Sequence, residues 1–255
     1  MTPLDADDSM ALNPCTPREN WDRAYREAPE IFDAFSRAED PDGRVAQRLR
    51  AQVTLQGRTV LELGCGTGRY TRELAPQAGL YLGMEPSPSM LSFARKAFVD
   101  LPHPPTLLRA RGQALPLRTG SVDVMLAAWV LVNLREEVRD RVLKEASRVL
   151  RPGPGCGMWL LENHWDSQFQ RFRGRGVEDE LRLRHLMEHD EFRLVEVVTT
   201  ELRFSSSPEA ERVLGYLCGD TLLGHLRRAP TAVLEHRIVI LHRSADAGAS
   251  ISSVK

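Results

Sequence analysis

Three groups of residues have types and spacings that can do chemistry. Gly64, Gly66 and Gly68 stand at every second position directly after the apolar run Val60, Leu61 and Leu63. Glycines at such a turn let the backbone take conformations closed to other residues, and let a ligand lie against bare main chain. The helix N-terminus that follows offers unpaired N–H groups and a partial positive charge. Glu85 ends a second apolar run and lies 21 residues after Gly64. That is near the spacing at which doubly wound folds set a carboxylate on a ribose, where two adjacent hydroxyls can donate to one acid. The alternative for Glu85 is that it caps the helix beginning at Ser87-Pro88. His164 is the third. With an ordinary pKa near 6.5 it can take a proton from a hydroxyl or amine at neutral pH. Its alternative is a histidine bonded to backbone at a strand end.

The glycine spacing narrows what the turn can hold. A dinucleotide fingerprint needs a third glycine at the position of Arg69, and a P-loop needs Gly-Lys-Ser/Thr where Arg69-Tyr70-Thr71 stands. Both fail.

These residues must be held by elements, and the hydrophobic pattern supplies them. Residues 60–63 read as a buried strand, and Tyr70 and Leu74, four apart, open a helix. Residues 79–85 are a second strand. Ser87-Pro88 then gives an N-cap and first-turn proline to a helix bearing Met90, Leu91, Ala94 and Phe98. A proline-rich loop at 100–105 precedes a third strand at 106–110. Residues 120–129 make a fourth strand, and 136–150 a helix stopped by Arg151-Pro152-Gly153. A fifth strand follows at 158–162. Strand alternating with helix predicts a parallel sheet with right-handed crossovers.

Outside this stretch, helices are expected at 19–27, with Trp21 and Tyr25 on one face, and at 44–55. Arg171-Phe172-Arg173-Gly174-Arg175-Gly176 looks like an RNA-binding tract. The adjoining acids Glu178, Asp179 and Glu180 make it read as a solvated loop. A helix at 181–188, a strand at 192–200 and a last strand at 238–241 are expected. Between them 205–228 is helical but broken by Gly215, Gly219 and Gly224. It reads either as a bent pair over a pocket or as core packing.

Composition sets the outer bounds. The 255 residues, 42% hydrophobic, suffice for one sizeable α/β domain, and a net charge of −1 gives no reason to expect nucleic acid or an anionic membrane. Only Lys96, Lys144 and Lys255 are lysine. Cys15, Cys65, Cys156 and Cys218 form no CxxC or Cys/His cluster, so no metal site and a reducing, cytoplasmic setting are expected. Residues 1–10 are acidic without an apolar run, so no signal peptide is expected, and no stretch approaches the roughly 18 apolar residues of a membrane span.

Several motifs occur in order along residues 58–162: Glu62-Leu63-Gly64-Cys65-Gly66-Thr67-Gly68, Glu85-Pro86-Ser87-Pro88-Ser89-Met90-Leu91, Leu115-Pro116, Val122-Asp123-Val124 and Arg148-Val149-Leu150-Arg151-Pro152-Gly153. Together they resemble the class I S-adenosylmethionine (AdoMet)-dependent methyltransferases of the methyltransferase type 11 kind. The resemblance implies a three-layer α/β/α sandwich around a seven-stranded, mostly parallel, Rossmann-like sheet. The last strand would be antiparallel beside the fifth, with a small helical insertion before it. It implies AdoMet contacts from Glu62, Gly64, Cys65, Gly66, Gly68, Glu85, Pro86, Met90, Gln113 and Ala128, with Tyr25 closing over the cofactor, the alternative for Trp21 and Tyr25 being packing on the core. Two positions depart from the pattern. Gln113 stands near the place of an acid that receives the adenine amino group, and Asn133 where many relatives carry histidine.

The expected organisation is a mobile tail (1–18), a methyltransferase domain (19–243) and a disordered tail (244–255). Within the domain, 19–56 is a helical cap, 58–162 the AdoMet-binding core and 163–234 the substrate side, including the 205–228 insertion. The expected activity is methyl transfer from AdoMet to a small-molecule acceptor by in-line displacement, with His164 acting on the acceptor. Holding the two reactants in line can supply on the order of 7–11 kcal/mol, so no elaborate catalytic constellation is required. The alternatives are an RNA or protein methyltransferase, or an AdoMet-binding regulatory protein without transferase activity.

Overall fold

The computed structural model describes residues 20–99, 101 and 104–246. The expected tail at 1–18, most of the tail at 244–255 and part of the 100–105 loop lie outside the described residues.

Each strand predicted in the motif-bearing stretch forms: β1 (Thr59–Leu63), β2 (Leu80–Met84), β3 (Thr106–Leu108), β4 (Val124–Ala128) and β5 (Gly157–Asn163). β6 (Arg193–Arg203) and β7 (Val233–Ser244) complete a seven-stranded sheet of order β3-β2-β1-β4-β5-β7-β6. The first five strands pair in parallel, with Val60 opposite Tyr81 on one side and Val124 on the other. β7 alone runs antiparallel, between β5 and β6. Strand order reverses between β1 and β4, where β1 lies between β2 and β4, and open α/β sheets bind ligands outside the carboxyl ends at such a switch point.

Successive side chains of a strand face opposite layers. Leu61, Leu63, Met125, Met158 and Leu160 therefore enter one core, closed by α6 (Glu136–Val149) and α8 (Gly176–Glu188). Val60, Val124, Leu126 and Leu161 enter the other, closed by α3 (Arg44–Gln52) and α4 (Arg69–Leu74). That is the three-layer sandwich. The helix α5 (Pro88–Phe98) starts as its sequence promises, with the Ser87 hydroxyl accepting from Met90 N.

A third core lies above the carboxyl ends. α1 (Trp21–Glu27) and α2 (Pro29–Ala38) pack there against α7 (Gln168–Arg173), α9 (Ser207–Cys218) and α10 (Asp220–Arg228). The insertion is indeed a helix pair, bent at Gly219 with φ +75°. It is a foundation, not a cover. Leu214, Leu217, Leu222 and Leu226 are fully buried with Phe35 and Phe169, and no residue of α9 or α10 lines the cavity described below.

The structure corrects other expectations. α2 was not foreseen, although Pro29 at its first position and Ile31, Phe32, Phe35 and Ala38 at helical spacing mark it. The arginine tract is no loop: it spans the end of α7, a left-handed Gly174 cap and the start of α8, which begins at Gly176 instead of 181. β7 has 12 residues where four were expected, because its long antiparallel pairing with β6 continues to Arg203↔Val233. Among the described residues no helix is long and apolar enough to cross a membrane.

Candidate active site

The glycine turn is built by its neighbours. Gly64 N and Cys65 N both donate to Met84 O, at 2.7 and 2.9 Å, which folds the turn over the end of β2. Gly64, Gly66 and Gly68 all hold positive φ, at +72°, +54° and +89°. They differ in what a side chain would meet. A Cβ on Gly68 would land in the Phe98 ring, and one on Gly64 would come within 2.7 Å of Val130. On Gly66 the nearest atom would be Phe32 Cε1 at 3.3 Å.

Glu85 completes the turn. Its Oε2 accepts from Gly66 N at 3.1 Å and its Oε1 from Ser87 N at 2.9 Å. Burial pushes its carboxyl up to about 7, against the opposing pull of those two N–H groups. Each oxygen retains acceptor capacity for a further donor.

Above the turn opens a cavity of about 590 Å³, within the range of small-molecule sites. One half is walled by Gly64, Gly66, Glu85, Pro86, Ala110, Arg111 and Gly112. The other is walled by Trp129 and Val132 after β4, Asn163 at the end of β5, Phe169 and Arg173 of α7, Arg175, and Asp179 and Arg182 of α8. α1 and α2 roof both halves with Trp21, Tyr25, Phe32 and Phe35, which also pack edge to face on one another. The roof is pinned down at two places. The Ser87 hydroxyl donates to Tyr25 O at 2.6 Å, as does that of Ser89. Glu39, at the end of α2, meets Arg69 Nη1 at 2.7 Å and His236 Nε2 at 3.0 Å.

The first half fits the nucleoside and amino-acid parts of AdoMet. Gly66 presents bare main chain, and beside it the Glu85 carboxylate presents two acceptor oxygens to the same cavity. Arg111 and Gly112, before the Gln113 position, line the same cavity. Gly112 is confined there by Val142 and Leu63, 3.1 and 3.2 Å from where its Cβ would stand.

Of the residues expected at the site, Gly64, Gly66, Glu85, Pro86, Ala128 and Tyr25 line this cavity together. The others do not. Met90 is fully buried, with its methyl 3.8 Å from where a Gly66 Cβ would stand, and Cys65 turns its thiol toward Gly83. Gln113 sits in the Arg111–Ala114 turn, one residue past the wall. Glu62 faces the α3–α4 layer, where it accepts from Tyr81 OH at 2.9 Å and from the Thr71 hydroxyl. Strand alternation, which sends Leu61 and Leu63 the other way, is the reason.

His164 is also outside the wall. Its Nδ1 accepts from Asp166 N at 3.1 Å, and its ring stacks on Trp165 at 4.0 Å. Burial first, then Arg237, lower its pKa. It is fastened to its own turn.

Glu62 gives a test of its structural role. Burial lifts its carboxyl to about 7. Unfolded, the group ionises near 4.3. The native state thus holds a proton that the unfolded chain releases, and stability falls as pH rises from about 4.3 to about 7. Glu62→Gln should raise the melting temperature at pH 8 and change it little at pH 4. A variant less stable at pH 8 would show that the charged form is favoured in place.

Sequence reading missed Trp129, Asn163 and Asp179. Trp129 carries a signal visible only in structure: φ +54°, rare for so bulky a residue and common at functional sites. Its Nε1 donates to Asn163 Oδ1 at 2.9 Å, and Asn133 Nδ2 donates to its carbonyl at 2.7 Å. Among the described residues no group of three or more His, Cys, Asp or Glu is placed to hold a metal ion.

Comparison with known proteins agrees with this geometry. Residues 61–155 match the family model of a methyltransferase domain. An uncharacterized methyltransferase of Mycobacteroides abscessus is 39% identical over 104 residues, 40% of this chain and 39% of that protein. A demethylmenaquinone methyltransferase of Lactococcus lactis is 33% identical over 158 residues, 56% of this chain and 60% of that protein. The chain thus spans less than two thirds of the length of either relative. An AdoMet-dependent methyltransferase of Aquifex aeolicus shares the fold, with TM-score 0.55 and 18% identity over 84% of this chain and 97% of that one.

Proposed function

We propose that this protein, whose residues 61–155 belong to the methyltransferase-domain family and whose fold is that of AdoMet-dependent methyltransferases, transfers a methyl group from AdoMet to a small-molecule acceptor. The observation that carries the reading is Glu85. It is buried at the end of β2, bonded to the bare N–H of Gly66, and open to the cavity.

The cofactor supplies an electrophilic methyl carbon on a positively charged sulfur. The chain's own residues do the rest. Glu85 would accept the ribose hydroxyls, and Gly64 and Gly66 would leave room for the amino-acid part. Pro86, Ala110 and Gly112 would flank the base, and Ala128 also lines the cavity. Tyr25 and Phe32 close the roof and exclude water. In this division 19–56 is the roof, 58–162 the cofactor floor and 163–234 the acceptor wall.

A small acceptor is favoured because the second half is walled by Phe35, Phe169, Trp129 and Val132 within one cavity of about 590 Å³. One relative is named as a demethylmenaquinone methyltransferase, an enzyme whose acceptor is neither RNA nor protein.

Calorimetric titration with AdoMet and with S-adenosylhomocysteine tests the cofactor site, and transfer of label from methyl-labelled AdoMet to a low-molecular-weight fraction tests the reaction. No heat of binding would sink the cofactor assignment. Label found only on RNA or protein would sink the small acceptor.

A further inference from the structure

The acceptor half holds a buried acid that the cofactor does not use. Asp179 is 7% exposed, lines the cavity, and has a buried Oδ2 with no hydrogen-bond partner. Charged groups from several elements face it: Arg173 of α7, Arg175 before α8, Glu178 and Arg182 of α8, and Glu162 of β5. Glu162 lies behind the wall with no exposure. The N–H groups of Leu131 and Val132 approach its carboxyl short of full hydrogen-bond geometry.

Accepting the methyl-transfer reading above, we propose that the acceptor is an aromatic hydroxyl compound whose O–H donates to the Asp179 carboxylate at the cavity wall, and that Asp179 takes the hydroxyl proton as the methyl group arrives. In the balanced step the acceptor O–H bond breaks and its proton passes to the Asp179 carboxylate. The oxygen forms the new O–CH3 bond, the S–CH3 bond breaks, and its electron pair returns to sulfur, which loses its positive charge.

The surroundings select this chemistry. A carboxylate set this deep in a cavity wall has few water donors, and a hydroxyl from the ligand supplies one. Three guanidiniums close enough to act on Asp179 would repel an ammonium acceptor and stabilise an oxygen that is losing its proton. Burial raises the Asp179 pKa, which narrows the gap to a phenol near 10. The ring has its own place. Trp129 is held by Asn163 and Asn133, and Phe169 and Phe35 complete flat apolar walls.

The test starts with S-adenosylhomocysteine. If it does not bind, the cofactor reading has failed, whatever the acceptor. With it bound, 2-naphthol, naphthalene and naphthalene-2-methylammonium are titrated into the complex. Wild type should prefer 2-naphthol by about tenfold or more over both others, as expected for a hydrogen bond to a charged group. Asp179→Ala should shrink that preference to a few-fold while keeping S-adenosylhomocysteine affinity, which also shows that it folds. Equal binding of naphthol and naphthalene by wild type, or an unchanged preference in Asp179→Ala, overturns the assignment. With labelled AdoMet, wild type should form the naphthyl methyl ether. Asp179→Asn should lower kcat by roughly 10²–10⁴-fold, the range for a positioned base. An unaltered kcat, or no ether despite bound naphthol, overturns the proton transfer.

Discussion

Gly66→Val is expected to abolish AdoMet binding, lowering affinity by on the order of 100-fold or more while the protein stays folded. The residue holds φ +54°, a region a β-branched side chain avoids at a cost of about 1–3 kcal/mol. Its Cβ would press on Phe32 at 3.3 Å, and the added methyls would stand in the space above the main chain. Gly66 N is also the donor that holds Glu85 Oε2, so a backbone shift at this position would disturb the acid as well. Position 68 provides the contrast. A side chain there meets the Phe98 ring in the packed layer, and Gly68→Val should lose its fold first. Calorimetry and circular dichroism on both variants read the difference. An unchanged AdoMet affinity in folded Gly66→Val would remove the glycine turn from the cofactor site.

Glu85→Ala is expected to weaken AdoMet binding by about 1.5–3 kcal/mol, the range for hydrogen bonds to a charged group. An AdoMet analogue lacking both ribose hydroxyls should bind the variant nearly as well as AdoMet does. Simple addition of the two losses would mean that Glu85 is not the ribose ligand. The acid also carries a pH signature. Its carboxyl is pushed up to about 7, so it holds its proton below that pH and is the stronger acceptor above it. Wild-type affinity should therefore rise as pH increases from 6 to 8, whereas Glu85→Gln should be flat. An equal pH slope in that variant would trace the titration to another group.

The parts of the fold that local rules decide were legible. β1, β2, β4 and β5 are short apolar runs bounded by turn residues, and α5 carries its cap and proline in the sequence. Glu85 was legible for the same reason, because the end of β2 fixes where it stands. What was not legible depends on distant partners. Asp179 sits among charged neighbours that read as solvated, and only the docking of α8 beside the ends of β4 and β5 buries it. Glu62 looked like a ligand within its motif, but strand alternation turns it toward Tyr81 and Thr71. The length of β7 follows from pairing with β6, which its own composition does not announce.

The fastening of the roof to the far end of the chain has a consequence for how the molecule is made. Glu39 pairs with Leu202 in a β-bridge and bonds to His236, a partner 197 residues later. Asp40 accepts from Thr200, 160 residues on. On a ribosome adding about 5–20 residues per second, the first helices wait roughly 10–40 s for the strands that seat them. A nascent chain that has reached β5 already owns the glycine turn, Glu85 and the Ser87 and Ser89 hydroxyls that hold Tyr25, but not the Thr200 and His236 partners of Asp40 and Glu39. A chain stalled before β7 has already made β6, α9 and α10, so what it lacks is the His236 contact that locks Glu39, and with it the end of α2, in place.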